Sequence, residues 1–339
     1  MTSEIEAKKR NRCKKFGPAA RACEMSMPRG TPNTNEREVK MKNNTPKLLP
    51  VFFGLIFLSL IIFVQDVLSQ SKKSFLWRVQ SKTNTVYILG SIHFLKKEMY
   101  PLDEKIEKAF ERSDILVVEA NINDIKKGDI QKLIEKAFYQ GDDILEKHVL
   151  AETFELLKKE LENLNLPLEI VNRQRPWFLA LTLASLETLK LGFDPNYGID
   201  KYFLSKAKEK KRVLELESFD YQINLFSQLS ERDQELLLLY ALKDIHMLKQ
   251  ELEKLIEAWT SGDTKGVEST LTRSLSEDGR LAPIYEKLIY ERNRKTVSRI
   301  EDFLQAKETY FVIVGAGHLV GNQGIIEILK EKGYLLEQL

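Results

Sequence analysis

The sequence predicts an α/β fold of the α+β kind: a mixed central sheet built from the two chain ends, with a large helical insertion between them. Three observations predict it. Apolar, β-rich runs crowd residues 75–118 and return in 309–338. Between them, Leu, Ile and Phe recur mostly at spacings of three and four. Finally, both ends carry one pattern: a strand, Gly-x-x-His, a loop, a helix, then a strand.

The elements follow in order. "FLWRVQ" (75–80) and "TVYILG" (85–90) read as strands separated by the polar "SKTN". "LDEKIEKAFERS" places Leu102, Ile106, Ala109 and Phe110 on one helical face. "DILVVEAN" is an uninterrupted apolar run, the signature of a strand buried on both faces. Residues 124–211 read mostly as helix, with breaks near Gly141, Pro167 and Gly192. "RPWFLALTLASLETLKLGF" is the most apolar helix; its uncharged run is too short to span a bilayer, so a core helix is expected. "RVLELES" (212–218) is a further strand, and helices dominate again from 219 to 306. The end is strand "TYFVIVGAG" (309–317), helix "QGIIEILKEKG" and strand "YLLEQ".

Charge divides the chain. Residues 1–47 hold 12 Lys and Arg against 5 Asp and Glu, whereas residues 70–339 hold 40 against 44. The folded part is therefore slightly acidic. It has no basic stripe interleaved with aromatics, so nucleic acid is not an expected partner. Cys13 and Cys23 are the only cysteines. Thiol catalysis, zinc–thiolate sites and disulfides are thus excluded from everything after residue 23.

Residues 48–65 carry no charge and, as a helix, would span about 27 Å, enough for a hydrocarbon core. Lys40, Lys42 and Lys47 precede them, which orients the following chain outward. The segment reads as a retained transmembrane anchor or as the h-region of a signal peptide cleaved after "VLS". Met41 opens "MKNNTPKLLPVFFG", a complete n-region and h-region. This suggests that translation begins there and that the basic tail before it is an extension. Either reading places residues 74–339, the expected catalytic domain, outside the cytoplasm: membrane-anchored, secreted or periplasmic.

Two of the four histidines, His93 and His318, follow a glycine by three residues and end an apolar strand. The carboxyl ends of strands are where open α/β sheets bind ligands. Glycine there lets the backbone turn or approach a ligand where a Cβ would clash. Glu119 follows "ILVV" in the same way. Two imidazoles and a carboxylate are a ligand set for a divalent metal with one position open to water. Alternatively, Glu119 is a general base beside a metal held by other groups. Zinc, manganese and cobalt all suit these donors. There is no H-E-x-x-H helix and no G-x-S-x-G elbow. The bland alternative, a satisfied structural histidine, is the commoner fate of a lone strand-end His. His148 and His246 read that way. Glu217 ends the strand "VLELES" much as Glu119 ends its own, with Glu215 alternating, and a solvated face explains it equally well; Asp200 suits a helix N-terminus. Arg292 and Asn293 suit a charged surface helix; turned to the site, Arg292 would hold a carboxylate or oxyanion.

Taken in order, these motifs resemble the TraB/GumN family, which includes the Tiki metalloproteases. The resemblance runs from about residue 76 to 338. It rests on "YILGSIHFLKKEMYPLDEKIEKAFERSDILVVE", "RPWFLALTLASLE", "YGIDKYFLSKAKEKKRVLELESFD", "ERNRKTVSRIEDFL" and "YFVIVGAGHLVGNQG". It implies a metal-dependent, membrane-associated or secreted peptidase acting on a peptide or protein, with His93, His318 and Glu119 essential and Arg292 and Asn293 participating. It also implies a fold related to erythromycin-esterase-like and ChaN-like proteins. The rivals are a non-catalytic protein that sequesters a peptide or pheromone, and a metal-independent esterase-type hydrolase with a histidine base.

Overall fold

Strands buried on both faces must be apolar along their whole length, and the middle of the sheet is built from such runs. In the computed structural model, which describes residues 73–339, the strands are β1 (Leu76–Gln80), β2 (Thr85–Ser91), β3 (Ile115–Val118), β4 (Arg212–Glu215), β5 (Tyr310–Gly315) and β6 (Leu335–Gln338). They pair in the order β4-β3-β5-β2-β1-β6. The basic tail 1–47 with Cys13, Cys23 and Met41, and the apolar segment 48–65, lie outside the described residues. Among the described residues, no helix is long and apolar enough to cross a membrane.

The sheet is mixed, as expected, and both chain ends build it. β5 pairs in parallel with β2, from Val86↔Tyr310 to Ser91↔Gly315, and with β3, from Ile115↔Tyr310 to Val117↔Val312. β4 adds in parallel to β3. β1 runs antiparallel to both β2 and β6. The carboxyl ends of β2, β5, β3 and β4 therefore share one edge. In β5, "YFVIVG" is β-branched and aromatic, and Phe311, Val312 and Ile313 have no exposed surface. Each such side chain stabilises the fold by about 1.5–3 kcal/mol.

Helix Glu104–Arg112 connects β2 to β3. Asp103 caps it by accepting from the Lys105 N–H at 2.8 Å. Its Phe110 ring packs edge-on to Phe311 beneath the sheet, with centroids 5.6 Å apart. The helical insertion has a core of its own around Leu157, Leu179, Leu183 and Leu238. Helix Pro176–Lys190 contributes to it on one face only; Leu181, Leu186 and Leu189 on the other stay exposed, which a wholly buried core helix would not show.

Three boundaries differ from expectation. The strand expected over 212–218 ends at Glu215, and that over 309–317 ends at Gly315, where a tight 3-10 turn (Ala316–His318) begins. The helix expected around 291–305 is continuous with a π-helical stretch, Glu286–Tyr290, closed by Glu291 N–H to Glu286 O. π turns leave no periodicity that a sequence pattern reveals, and they favour functional sites.

At Gly90, where the motif suggests a turn or a ligand's approach, the missing side chain leaves space that the core fills. A Cβ there would lie 2.4 Å from Phe75 Cδ1 and 2.7 Å from Cε1. The glycine makes room for a core ring. Gly90→Ala is expected to destabilise the fold by about 1–3 kcal/mol through overpacking. Urea titration checks this, and Phe75→Leu in the same chain should return part of the loss.

Candidate functional site

The parallel register sets the site. His93 lies just past β2, Glu119 directly follows β3, and His318 closes the turn after β5. Because β5 lies between β2 and β3, the three meet over Gly315. A Cβ on Gly315 would stand 3.4 Å from Glu119 Oε1, 3.5 Å from His318 Cδ2 and 3.8 Å from His93 Nε2. The second motif's glycine thus floors the site, whereas the first motif's glycine serves the core. Glu119 Oε1 accepts the Gly315 N–H at 2.6 Å and stands 3.9 Å from His318 Nε2.

Each imidazole is held through Nδ1. His93 Nδ1–H donates to Asp200 Oδ2 at 2.9 Å. Asp200 is in the first turn of helix Ile199–Ala207, whose start is seated by Ile199 N–H on Ile92 O at 3.1 Å. Gly198 permits this approach, since a Cβ there would lie 2.3 Å from the His93 carbonyl oxygen. His318 Nδ1–H donates to Asn293 Oδ1 at 2.6 Å, and Asn293 Nδ2 donates to Gln323 O at 2.7 Å, which orients the amide. Trp259 fixes the end of β2 by donating its indole N–H to Gly90 O at 2.7 Å.

Arg292 and Asn293 are not surface residues: Asn293 is fully buried and the Arg292 side chain is 12% exposed. All five guanidinium donors are engaged. Nε–H and one Nη2–H reach Glu217, at 2.8 Å each; the other Nη2–H donates to Glu119 Oε2. Nη1 donates to Leu288 O at 3.0 Å and to His318 Nε2 at 3.1 Å. Gln222 Nε2 bridges the two carboxylates from the side, at 3.4 Å and 3.3 Å.

Electrostatics follow from these contacts. Burial pushes the Glu119 carboxyl up, but Arg292, His93 and the Gly315 N–H, joined by His318 whenever that ring is protonated, outweigh it and hold Glu119 below the usual carboxylate range. The Asp200 carboxylate raises the His93 pKa against the cost of desolvation; with 61% of that side chain exposed, solvent screens the pull. Burial lowers the His318 pKa, with Glu119 opposing, so the ring is held neutral with Nε2 as an acceptor. Burial disfavours the Arg292 charge, but Glu217 and Glu119 more than compensate.

A divalent metal fits this donor set in kind. Both rings commit Nδ1 to an oxygen acceptor, the outer hydrogen bond that metal-bound histidines use, and keep Nε2 on the Glu119 side. The assembly is not closed for one as it stands. Arg292 shares His318 Nε2 and Glu119, and among the described residues no three His, Cys, Asp or Glu side chains are gathered to hold a metal ion.

A sequence model of the TraB/PrgY/gumN family matches residues 75–338. The chain belongs to that family. An uncharacterized protein, YbaP of Escherichia coli, is 26% identical over 245 residues, 72% of this chain and 87% of its own. A metalloprotease TIKI homolog of Amphimedon queenslandica is 22% identical over 353 residues, 86% of this chain and 69% of its own. Metalloprotease TIKI1 of Xenopus tropicalis is 23% identical over 314 residues, 77% of this chain and 60% of its own. No solved structure matches, so the expected kinship with erythromycin-esterase-like and ChaN-like folds has no such support.

Several side chains of the family member's site are ones that composition alone suits to other places. Asp200 does stand in the first turn of a helix, as its sequence position suggests, and it also holds His93; Glu217 is nearly buried and holds Arg292 rather than lying on a solvated face. For Glu217 the strand-end position that it shares with Glu119 is the reading that the structure favours over a solvated face. Gln222 and Trp259 carried no signal. His148 and His246 pair with Asp143 and Glu160 in the helical insertion, outside this cluster.

Removing Arg292 leaves two buried carboxylates unpaired. Arg292→Met is expected to destabilise the protein by about 3–5 kcal/mol. Arg292→Met with Glu217→Gln should recover part of that loss, as read by denaturant unfolding of both variants.

Proposed function

We propose that this TraB/PrgY/gumN family member is a metal-dependent hydrolase that cleaves peptide bonds outside the cytoplasm. The observation that carries the reading is the meeting of His93 Nε2, His318 and Glu119 over Gly315, at the carboxyl edge of the parallel strands. Relatives named metalloprotease TIKI support the reaction class. The charge-free run 48–65 after three lysines supports the location.

The roles follow from the contacts. His93 and His318 offer Nε2, and Glu119 offers Oε1, to a divalent ion such as zinc, manganese or cobalt. Bound there, such an ion polarises a scissile carbonyl and lowers the pKa of water. Asp200 fixes the His93 ring and Asn293 the His318 ring, each through Nδ1. Glu119 stays ionised at neutral pH, able to ligate or to accept a proton from water. Arg292 is the internal cation that sets Glu119 and Glu217 in place. Its donors are spent on protein groups, so steadying an oxyanion would require it to release His318 or Leu288.

The test uses purified full-length protein and a mixed peptide library read by mass spectrometry. His93→Ala and His318→Ala should each lower cleavage by about 10²-fold or more. A chelator should abolish it, and one of zinc, manganese or cobalt should restore it. Full cleavage by both variants, or after chelation, overturns the reading. Stoichiometric peptide capture without products would instead identify a sequestering protein.

A further inference from the structure

Beside His93 opens a cavity of about 790 Å³. It lies within the range of about 300–1,000 Å³ typical of ligand pockets. The cavity shares His93 and Gly315 with the candidate site, so a molecule seated in it borders that site at His93, while Glu119 faces an adjoining cavity of about 250 Å³ that His93 also lines. Its lining is mostly apolar: Leu271 and Leu275, then Leu288 and Ile289 of the π turn, with Tyr285 and Tyr290 beside them. The π turn thus does two things. It carries the Leu288 carbonyl that holds Arg292, and it turns apolar side chains into the cavity.

The floor is the second histidine motif. Its glycines Gly317 and Gly321 line the cavity, and their missing side chains matter there. A Cβ on Gly317 would lie 3.2 Å from Leu271 Cδ1, and one on Gly321 would lie 3.1 Å from Glu268 Oε1. Gly321 also takes φ of +81°, a conformation that favours glycine. Glu268 is the one carboxylate lining the cavity, and no Lys or Arg lines it. Among the described residues its side chain has no ion pair.

An apolar chamber with a single uncompensated carboxylate, bordering a hydrolytic centre, has a definite chemical complement. We propose that this cavity is the substrate subsite, that it accepts bulky aliphatic or aromatic side chains of an extended peptide, and that Glu268 selects a lysine or arginine beside them. The proposal rests on the peptidase reading for its substrate class. The aliphatic walls gain stability by removing apolar surface from water. Glu268 supplies a charge-assisted hydrogen bond to the basic group.

The test separates binding from turnover. The probes are fluorescein-labelled Leu-Phe-Lys-Leu-Phe, its Gln-for-Lys counterpart, and Ser-Gly-Lys-Gly-Ser. Anisotropy is measured on full-length His318→Ala protein, so that binding is read without cleavage. The apolar lysine peptide should bind about tenfold more tightly than the other two. Leu271→Asp and Leu275→Asp should each weaken it about tenfold or more. Leu271→Ala and Leu275→Ala should weaken it less, with unchanged thermal unfolding as the folding control. Glu268→Gln should remove the preference for lysine and leave the Gln peptide unaffected. Equal binding of all three probes, or equal losses for both apolar probes in Glu268→Gln, overturns the proposal. The two readings fail separately. Binding that obeys these dependences in a wild-type protein that cuts nothing leaves the subsite and removes the peptidase. Cleavage that ignores peptide composition and these variants does the reverse.

Discussion

Everything at the candidate site depends on where β5 pairs. It is laid in parallel between β2 and β3, although nearly two hundred residues of chain, mostly helical, separate it from β3. Parallel pairing fixes direction as well as position, so the three strands end on one edge. Both faces of β5 are buried, so a one-residue slip would exchange the side chains packed on its two faces and displace Gly315 from Ser91. The unbroken burial from Tyr310 to Val314 holds the strand between its neighbours. The register at Ser91↔Gly315 is what sets His318 beside His93, and the shorter pairing with β3 lets the next residue, Glu119, reach back to the Gly315 N–H.

Two carboxylates gathered at one edge, Glu119 and Glu217, would repel each other without a cation between them. Arg292 supplies it. A guanidinium suits the position better than an ammonium because it is planar, keeps its charge when buried, and presents five donors. Here two are spent on Glu217, one on Glu119, one on a π-turn carbonyl and one on His318. Such a buried network is weak evidence of stability, since desolvating these ions costs several kcal/mol each. Its worth is in specificity: every donor has one partner, so Glu119 and Glu217 have one arrangement. The same saturation means that any ligand drawing on His318 Nε2 must first exchange with Arg292.

What the sequence revealed, and what it hid, follows from range. Strand and helix positions were legible because they are written in local periodicity, as in "FVIVG" and "KIEKAF". The mixed sheet was legible because both ends carry strands. The convergence of His93, Glu119 and His318 was legible only as an inference from their shared place at strand ends. Asp200, Glu217 and Asn293 were hidden because their partners lie 107, 75 and 25 residues away, and composition reports a charged or polar residue as surface by default. The π turn was hidden because its extra residue leaves hydropathy unchanged. The family resemblance added Arg292 and Asn293 where local reasoning had set them aside.

The two Gly-x-x-His motifs look alike in sequence but differ in physics. In the first, glycine yields to Phe75, and the histidine beyond it is 61% exposed and tied to a carboxylate. In the second, glycine floors the site, and the histidine is 8% exposed and tied to a neutral amide. A carboxylate partner favours the imidazolium, whereas an amide partner in a buried place favours the neutral ring. One motif therefore presents a solvent-facing, basic imidazole that lines the cavity. The other presents a fixed, neutral acceptor buried behind it. A pair built this way has a direction, from the open histidine to the closed one, and the apolar cavity borders its open end at His93 and Gly315. An incoming chain would meet His93 before it could disturb the bond between Arg292 and His318.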